Sequence, residues 1–312
     1  MRAFLFPGQG SQSVGMGGAL SEASRAARDV FEQVDEALGQ NLARLMRDGP
    51  DDELRLTENA QPAIMANSMA VFAALTKEGG VELAKAVQFV AGHSLGEYSA
   101  LCAAGSFELA TTAKLLKLRG QAMQAAVPVG LGAMAALLGA DVELARRIAE
   151  AAARGEVCTV ANDNDPGQVV ISGHKGAIDR AIEMAKEMGA KRAVPLPVSA
   201  PFHCPLMEPA AEAMRDALSY VVVEEPAVPV YANVTAAPET DPDTIRSLLV
   251  EQVTGLVRWR ESVVAMADDG VADFIELGGK VLGPMVKRSA ADVNVRSIVT
   301  IEDVEALAKE IA

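Results

Sequence analysis

The sequence predicts an α/β fold: a mostly parallel sheet flanked by helices on both faces, plus an inserted ferredoxin-like βαββαβ subdomain. Short apolar runs typical of buried strands alternate with helical patterns along the chain of 312 residues. Residues 128–198 have an order of their own, strand-helix-strand-strand-helix-strand, which is the ferredoxin-like pattern. With 50% hydrophobic residues, a chain of this length can bury a large core.

The larger part begins with an apolar run at 2–6, which predicts its first strand, and a turn-rich loop at 7–12. A second apolar run at 87–91 predicts a buried strand. The remaining predicted elements are helices at 21–38, 62–78, 97–104, 107–126 and 207–219, and strands at 228–232, 271–276 and 294–299.

The inserted part is predicted to have four strands and two helices. A turn is predicted at 162–167, where the sequence reads Asn-Asp-Asn-Asp-Pro-Gly. The strands are predicted at 133–138, 157–161, 169–172 and 192–196, and the helices at 141–153 and 175–188. We therefore expect an α/β domain formed by residues 1–127 and 199–312, interrupted by a small subdomain at 128–198.

Composition excludes several classes of partner. A net charge of −14 and a pI near 4.8 repel nucleic acid and anionic lipid, so we expect neither as a partner. We also expect no secretory leader and no membrane span. Cys102, Cys158 and Cys204 match neither a disulfide framework nor a zinc site and are predicted to be buried thiols in a reducing, cytoplasmic compartment.

The pentapeptide Gly-His-Ser-Leu-Gly at 92–96 lies between a predicted strand and a predicted helix. That context favours a nucleophile elbow, in which a sharp turn exposes the Ser94 hydroxyl. The N–H of Leu95 would then point at a developing oxyanion. The alternative is an ordinary strand-helix loop in which Ser94 caps the helix.

A nucleophilic serine needs a base, and the chain has three histidines. His93 adjoins Ser94, and neighbouring side chains on an elbow point apart; His174 opens a helix of the inserted part. His203 follows a predicted strand and precedes a helix, where loops converge on a site in open α/β sheets. By elimination His203 is the candidate base, with a structural role as the alternative.

Arg119 falls on the apolar stripe of the helix predicted at 107–126. A buried guanidinium needs a partner. That partner is either a carboxylate of this chain or an anionic group of the substrate, for which a bidentate fork is suited.

The glycine-rich loop at 8–15 does not complete a dinucleotide fingerprint, because Ser13 stands where the third glycine is required. It can instead supply a second oxyanion N–H, for example from Gln9. The sequence has no Walker loop and no metal-ligand spacing, so we expect no cofactor and no metal.

Together these segments resemble one family, the malonyl-CoA:acyl carrier protein transacylases of fatty acid synthesis and the related acyltransferase domains of polyketide synthases. The resemblance extends over nearly the whole chain and implies a hydrolase-like α/β domain with a ferredoxin-like insert. It rests on the segments at 6–12, 57–63, 92–98, 119–120, 199–203 and 233–235.

The resemblance implies a malonyl transfer from malonyl-CoA to the pantetheine thiol of acyl carrier protein. Ser94 would be the acylated nucleophile and His203 the general base and acid. The N–H groups of Gln9 and Leu95 would form the oxyanion hole, and Arg119 would hold the malonyl carboxylate.

The resemblance also assigns supporting residues. The backbone carbonyl of Gln252 would orient the histidine, and Gln61 and Asn162 would line the pocket. Phe202 is similar to the malonyl-selecting version of its motif. One departure is Gly-Gly-Lys at 278–280, where the family often has Gly-Pro-Gly-Lys.

The carrier protein is expected to be acidic, which calls for a local basic patch; candidates are Lys191, Arg192, Lys287 and Arg288. Three rival functions stay open. They are a stand-alone polyketide synthase acyltransferase, a serine acyl hydrolase, and an inactive scaffold that binds acyl carrier protein. A free-standing chain of this length favours fatty acid synthesis.

Overall fold

The computed structural model describes residues 1–198 and 200–312 and contains a six-stranded and a four-stranded sheet. Ser199, the predicted first residue of the resumed larger part, lies outside the described residues. Numbered along the chain, the strands are β1 Arg2–Phe6, β2 Phe89–Gly92, β3 Gly132–Leu138, β4 Cys158–Asp165, β5 Gln168–His174, β6 Arg192–Pro195, β7 Val230–Ala232, β8 Ala237–Glu239, β9 Asp273–Leu277 and β10 Asn294–Ile298.

The described helices fall on both sides of the six-stranded sheet and on the four-stranded one. They are α1 Gly18–Ala23, α2 Arg25–Leu38, α3 Leu42–Asp48, α4 Asp51–Arg55, α5 Thr57–Ala73, α6 Leu83–Ala86, α7 Leu95–Ala103, α8 Leu109–Ala126, α9 Val142–Ala153, α10 Lys175–Ala185, α11 Glu208–Ser219, α12 Pro242–Thr254, α13 Trp259–Asp268, α14 Leu282–Ser289 and α15 Ile301–Ile311. Among the described residues, no helix is both long and apolar enough to cross a membrane.

The six-stranded sheet has the order β10-β9-β1-β2-β7-β8, and all its pairs are parallel except β7–β8. The central strand β1 is buried on both faces. Phe4 and Phe6 belong to the core on one side, and Ala3 and Leu5 pack with Trp259 on the other. Burial on both faces explains why this strand reads as a continuous apolar run. The predicted fold class is confirmed.

The four-stranded sheet has the order β4-β5-β3-β6 and is antiparallel throughout. The chain order β3-α9-β4-β5-α10-β6 is the predicted βαββαβ pattern. Helices α9 and α10 pack on this sheet around a small apolar core that contains Leu137, Ile148 and Ile178.

The predicted turn at 162–167 is too long, because β4 continues to Asp165 and the turn is confined to Pro166 and Gly167. Two ion pairs hold this polar stretch in an extended conformation. Buried Asp163 lies 2.8 Å from Arg260, and buried Asp165 lies 2.7 Å from Arg288. The arginines belong to α13 and α14, so the pairs connect the four-stranded sheet to helices that pack against the six-stranded sheet.

Two predicted helices differ clearly in their bounds from the helices of the structure. The helix expected at 21–38 is interrupted at Ser24, which adopts an extended conformation and caps α2 by accepting a hydrogen bond from the N–H of Ala27. The helix expected at 62–78 begins earlier, at Thr57, and its α-helical part ends at Ala73. Pro62 lies inside α5, where it removes one backbone donor.

Candidate active site

The nucleophile candidate lies on a sharp turn between β2 and α7. Ser94 has φ 54° and ψ −113°, and its side chain makes no capping bond to α7. A Cβ at Gly92 would lie 1.9 Å from the carbonyl of Gly96, and one at Gly96 would lie 2.2 Å from the Phe6 oxygen. The turn therefore requires glycine at both positions, and it has the geometry of an elbow rather than of a serine-capped loop.

The structure brings Ser94 and His203 together although 109 positions separate them. His203 Nε2 lies 2.7 Å from Ser94 Oγ, and Nδ1 lies 2.9 Å from the backbone oxygen of Gln252. A carbonyl oxygen can only accept, so Nδ1 carries the proton. Nε2 is then free to accept the hydrogen of the Ser94 hydroxyl.

The environment keeps this imidazole neutral. Burial, assisted by the nearby charge of Arg119, lowers the pKa of His203 to about 3. The neutral imidazole is the form that can accept a proton from serine.

Arg119 is 1% exposed, as its place on the apolar stripe predicts. Its Nη1 donates to Gln61 Oε1 at 2.8 Å and its Nη2 to Gln252 Oε1 at 2.9 Å. Nη2 also lies 3.2 Å from Ser94 Oγ, and the guanidinium lies 5.7 Å from the centre of the Tyr98 ring. The acceptors are neutral, so they satisfy hydrogen bonds without cancelling the charge.

Each of these two glutamine amides is oriented by a further partner. Gln61 Nε2 donates to the Thr57 hydroxyl at 2.9 Å, which turns its oxygen towards Arg119. Gln252 Nε2 donates to Glu97 Oε2 at 2.8 Å and to the backbone oxygen of Ser94 at 3.0 Å. The two glutamine side chains that accept hydrogen bonds from Arg119 are therefore held in position by further residues.

Sequence reasoning did not identify the polar layer beneath the elbow. Asn233 Oδ1 accepts from the N–H of Ser94 at 2.8 Å, and its Nδ2 donates to the Gly92 oxygen at 2.7 Å. Glu97 is 3% exposed and accepts from the N–H of Asn233 at 3.0 Å. A signal was available, because Glu97 is the charged residue of a helix that is otherwise apolar or small from Leu95 to Ala103.

A cleft of about 330 Å³ between the two sheets is lined by Ser94, His203, Arg119 and Gln61. Gln9, Leu95, Asn162 and Phe202 line the same cleft. Leu95 is the first residue of α7, so its N–H belongs to the helix turn that has no intrahelical acceptors. Every predicted site residue except Gln252 thus lines one cleft, and Gln252 lies behind the lining, in contact with Arg119 and His203.

His93 points away from the nucleophile. Its Nε2 lies 2.8 Å from Asn164 Oδ1, and its ring packs against Trp259 at 5.7 Å. Burial lowers the pKa of His93. This arrangement agrees with the expectation that His93 is a poor base for Ser94.

The segment at 278–280, where this sequence departs from the family pattern, precedes a loop whose backbone N–H groups bind Glu276. This buried carboxylate accepts the N–H groups of Val281, Leu282 and Gly283 at 2.8–3.0 Å. Val281 and Leu282 line the cleft, so Glu276 anchors the part of this loop that reaches the site. Among residues 1–198 and 200–312, no group of histidine, cysteine and acidic side chains could hold a metal ion.

Comparison with known proteins gives a consistent result. Residues 3–297 match the family described as "Acyl transferase domain". The malonyl CoA-acyl carrier protein transacylase of Escherichia coli K12 is 46% identical over 287 residues, which cover 92% of both chains.

Solved structures agree. The acyl-carrier-protein S-malonyltransferase of Bartonella henselae superposes with a TM-score of 0.97 at 52% identity, covering 99% of each chain. A malonyl-transacylase in complex with its type II polyketide synthase acyl-carrier protein superposes with a TM-score of 0.95 at 38% identity, also over 99% of each chain. The chain is therefore a member of the acyl transferase family and belongs to its malonyl-CoA:acyl carrier protein transacylase branch.

Proposed function

We propose that this enzyme transfers the malonyl group from malonyl-CoA to the pantetheine thiol of acyl carrier protein, through a malonyl-Ser94 intermediate. The observation that carries the proposal is the 2.7 Å contact between Ser94 Oγ and His203 Nε2 beside a buried arginine whose acceptors are neutral. Family membership supports the same substrates.

In the first half-reaction, Ser94 Oγ attacks the thioester carbonyl while His203 Nε2 takes the hydroxyl proton. The Gln252 carbonyl stabilises the imidazolium through Nδ1–H. Negative charge develops on the substrate oxygen, which the N–H groups of Gln9 and Leu95 would bind; losing one such donor typically slows turnover by about 100- to 1,000-fold. His203 then protonates the leaving coenzyme A sulfur.

In the second half-reaction, His203 takes the proton of the pantetheine thiol, and the sulfur attacks the malonyl-serine carbonyl. The tetrahedral intermediate collapses, and the proton returns to Ser94 Oγ. Arg119 holds the malonyl carboxylate in both halves, and Phe202, Gln61 and Asn162 shape the pocket around the acyl group.

Intact-protein mass spectrometry tests the intermediate. Brief exposure to malonyl-CoA should add one malonyl group to the native chain and none to Ser94→Ala. Subsequent addition of acyl carrier protein with its pantetheine arm should remove the group from the enzyme and add it to the carrier. If malonyl-CoA does not label Ser94, the proposal is rejected, and an inactive scaffold that binds acyl carrier protein becomes the favoured function.

The fate of the malonyl group separates transferase from hydrolase. A transferase passes it to the pantetheine thiol, whereas a hydrolase releases malonate at the same rate with or without carrier. We propose that the malonyl group is supplied to fatty acid synthesis. The alternative, a polyketide synthase acyltransferase, would be favoured if kcat/KM were much higher for a polyketide carrier protein than for a fatty acid carrier protein.

We further propose that residues 1–127 and 199–312 form the catalytic domain and 128–198 a subdomain. The separate apolar core of the four-stranded sheet supports this division. We also propose a cytoplasmic location, which the free, buried thiols of Cys102, Cys158 and Cys204 support.

A further inference from the structure

Glu97 is a buried acid that is linked to Arg119 by hydrogen bonds through one residue, Gln252. Its Oε2 accepts from Gln252 Nε2 at 2.8 Å, and the oxygen of the same amide accepts from Arg119 Nη2 at 2.9 Å. The carboxylate and the guanidinium therefore belong to one enclosed network and do not touch.

Arg119 supplies the opposite charge in the surroundings of Glu97. The elements packed against α7 are α5, α8, β1, β2 and β7. Arg119 on α8 favours the Glu97 anion, and Tyr98 on α7 lies beside both. Of the other titratable groups of these elements, Glu58 pairs with Lys117, Arg2 with Asp273, and Tyr231 with Asp269. Lys114 is exposed, and burial raises the pKa of the Cys102 thiol to about 11 and keeps it neutral.

Above the Glu97 pKa of about 7, the resting network holds one buried cation and one buried anion. A malonyl carboxylate bound to Arg119 adds a second buried anion to the same cation. An uncompensated buried charge is costly, and protonation is the ordinary way to avoid it. Burial already raises the pKa of Glu97 to about 7, so little further change is required.

We propose that Glu97 is the internal counter-charge of Arg119 and takes up one proton from solvent when the acyl carboxylate binds. The inference rests on the proposed function. The proton forms an O–H bond at Oε1, while Oε2 continues to accept from Asn233 and Gln252. Glu97 is thus a positioning residue that acts on the substrate through Gln252 and Arg119.

Linkage gives the direction of the pH effect. Binding that takes up a proton weakens as the pH rises, so malonyl-CoA affinity should fall above pH 7 by up to about tenfold per pH unit. Acetyl-CoA has no carboxylate to compete with Glu97, and its affinity should be independent of this group.

Titration calorimetry in two buffers of different ionisation enthalpy measures the proton directly. Ser94→Ala is used as the background so that binding is not followed by acylation. We expect uptake of a substantial fraction of one proton near pH 7.5 with malonyl-CoA and none with acetyl-CoA. Adding Glu97→Gln should abolish the uptake, since an amide oxygen can accept the same two hydrogen bonds without titrating.

Equal proton uptake with both thioesters would overturn the inference. Proton uptake that persists in Glu97→Gln would also overturn it, because another group, such as His203, would then be the one that binds the proton. Should Glu97→Gln not fold, the malonyl-CoA dissociation constant of Ser94→Ala from pH 6 to 9 decides, and a flat profile refutes the idea. Labelling of Ser94 in the native chain is measured alongside, and its absence would reject the proposed function itself.

Discussion

The Ser94 hydroxyl lies between an imidazole that can accept its proton and a guanidinium whose direct hydrogen-bond acceptors are neutral. Both neighbours were predictable, because a base can be sought among few histidines and a charged residue on an apolar stripe is conspicuous. Glu97 and Asn233 were not predicted as functional residues. Asn233 binds backbone atoms of the elbow and Glu97 binds the backbone of Asn233, and residue type and spacing do not reveal such contacts.

Substitution of Arg119 should separate malonyl from acetyl transfer. Arg119→Ala removes two charge-assisted hydrogen bonds to the acyl carboxylate, each worth about 1.5–3 kcal/mol, so kcat/KM for malonyl-CoA should fall by roughly 100-fold or more. The loss for acetyl-CoA should be much smaller. Lys114→Ala, on the exposed face of the same helix, is the matched control. Equal losses for both thioesters would refute the assignment.

The pH profile of acylation should report the unusual state of His203. Its pKa of about 3 keeps the imidazole neutral, so acylation by saturating acetyl-CoA should not decline between pH 8 and 5. Stopped-flow measurement checks this, with circular dichroism confirming that the protein stays folded. A loss of rate centred between pH 6 and 7 would contradict the prediction.

The same shift affects stability. Below its ordinary pKa of 6.5, His203 binds a proton in the unfolded chain but not in the folded one. Folding should therefore become less favourable as the pH falls from 6.5 towards 3.

At the scale of elements, the sequence predicted every described strand except β8. It did not predict the helices α3, α4, α6 and α12–α15. Strands buried on both faces leave a continuous apolar run, whereas a short helix such as Asp51–Arg55 has too few residues to display a period. The error at 162–167 has another origin. Two acidic side chains in a strand resemble a turn unless their distant arginine partners are known.

The ion pair between Asp163 and Arg260 should stabilise the junction of β4 with α13. Arg260→Met leaves a buried carboxylate unpaired and should cost about 2 kcal/mol of unfolding free energy in urea. Asp163→Asn in that background should restore part of the loss. Arg146→Met breaks an exposed pair with Glu143 and should change stability by less than about 0.5 kcal/mol. A similar small effect for Arg260→Met would contradict this role.

At the scale of the molecule, the site combines Gln9, Ser94, Arg119, Asn162, His203 and Gln252. The nucleophile, arginine and histidine were predictable from local patterns. The roles of Gln61, Gln252 and Asn162 came only with the family resemblance, since an isolated amide carries little sequence signal. Gln9 and Ser94 follow β1 and β2 at the same edge of the parallel sheet. Helices α8 and α12 and strand β4 bring Arg119, Gln252 and Asn162 to that edge.

If the carrier is acidic, as expected, this chain with its net charge of −14 can bind it only through a locally basic surface. Lys191, Arg192 and Lys287 are exposed, while Arg288 is exposed but paired with Asp165. Lys287→Glu should therefore raise the KM for the carrier by about three- to tenfold at low salt, with saturated acylation by malonyl-CoA unchanged. Lys85→Glu, an exposed control on α6, should have no effect. An unchanged carrier KM in Lys287→Glu would reject this docking patch.

The central strand β1 ends at Phe6, yet one of its two neighbours in the sheet, β9, begins only at Asp273. The histidine and its orienting carbonyl likewise emerge long after the serine. A nascent chain therefore exposes an unpaired edge of β1 until β9 has been synthesised. Catalysis cannot begin before the segments that carry His203 and Gln252 have been synthesised and have folded against the elbow.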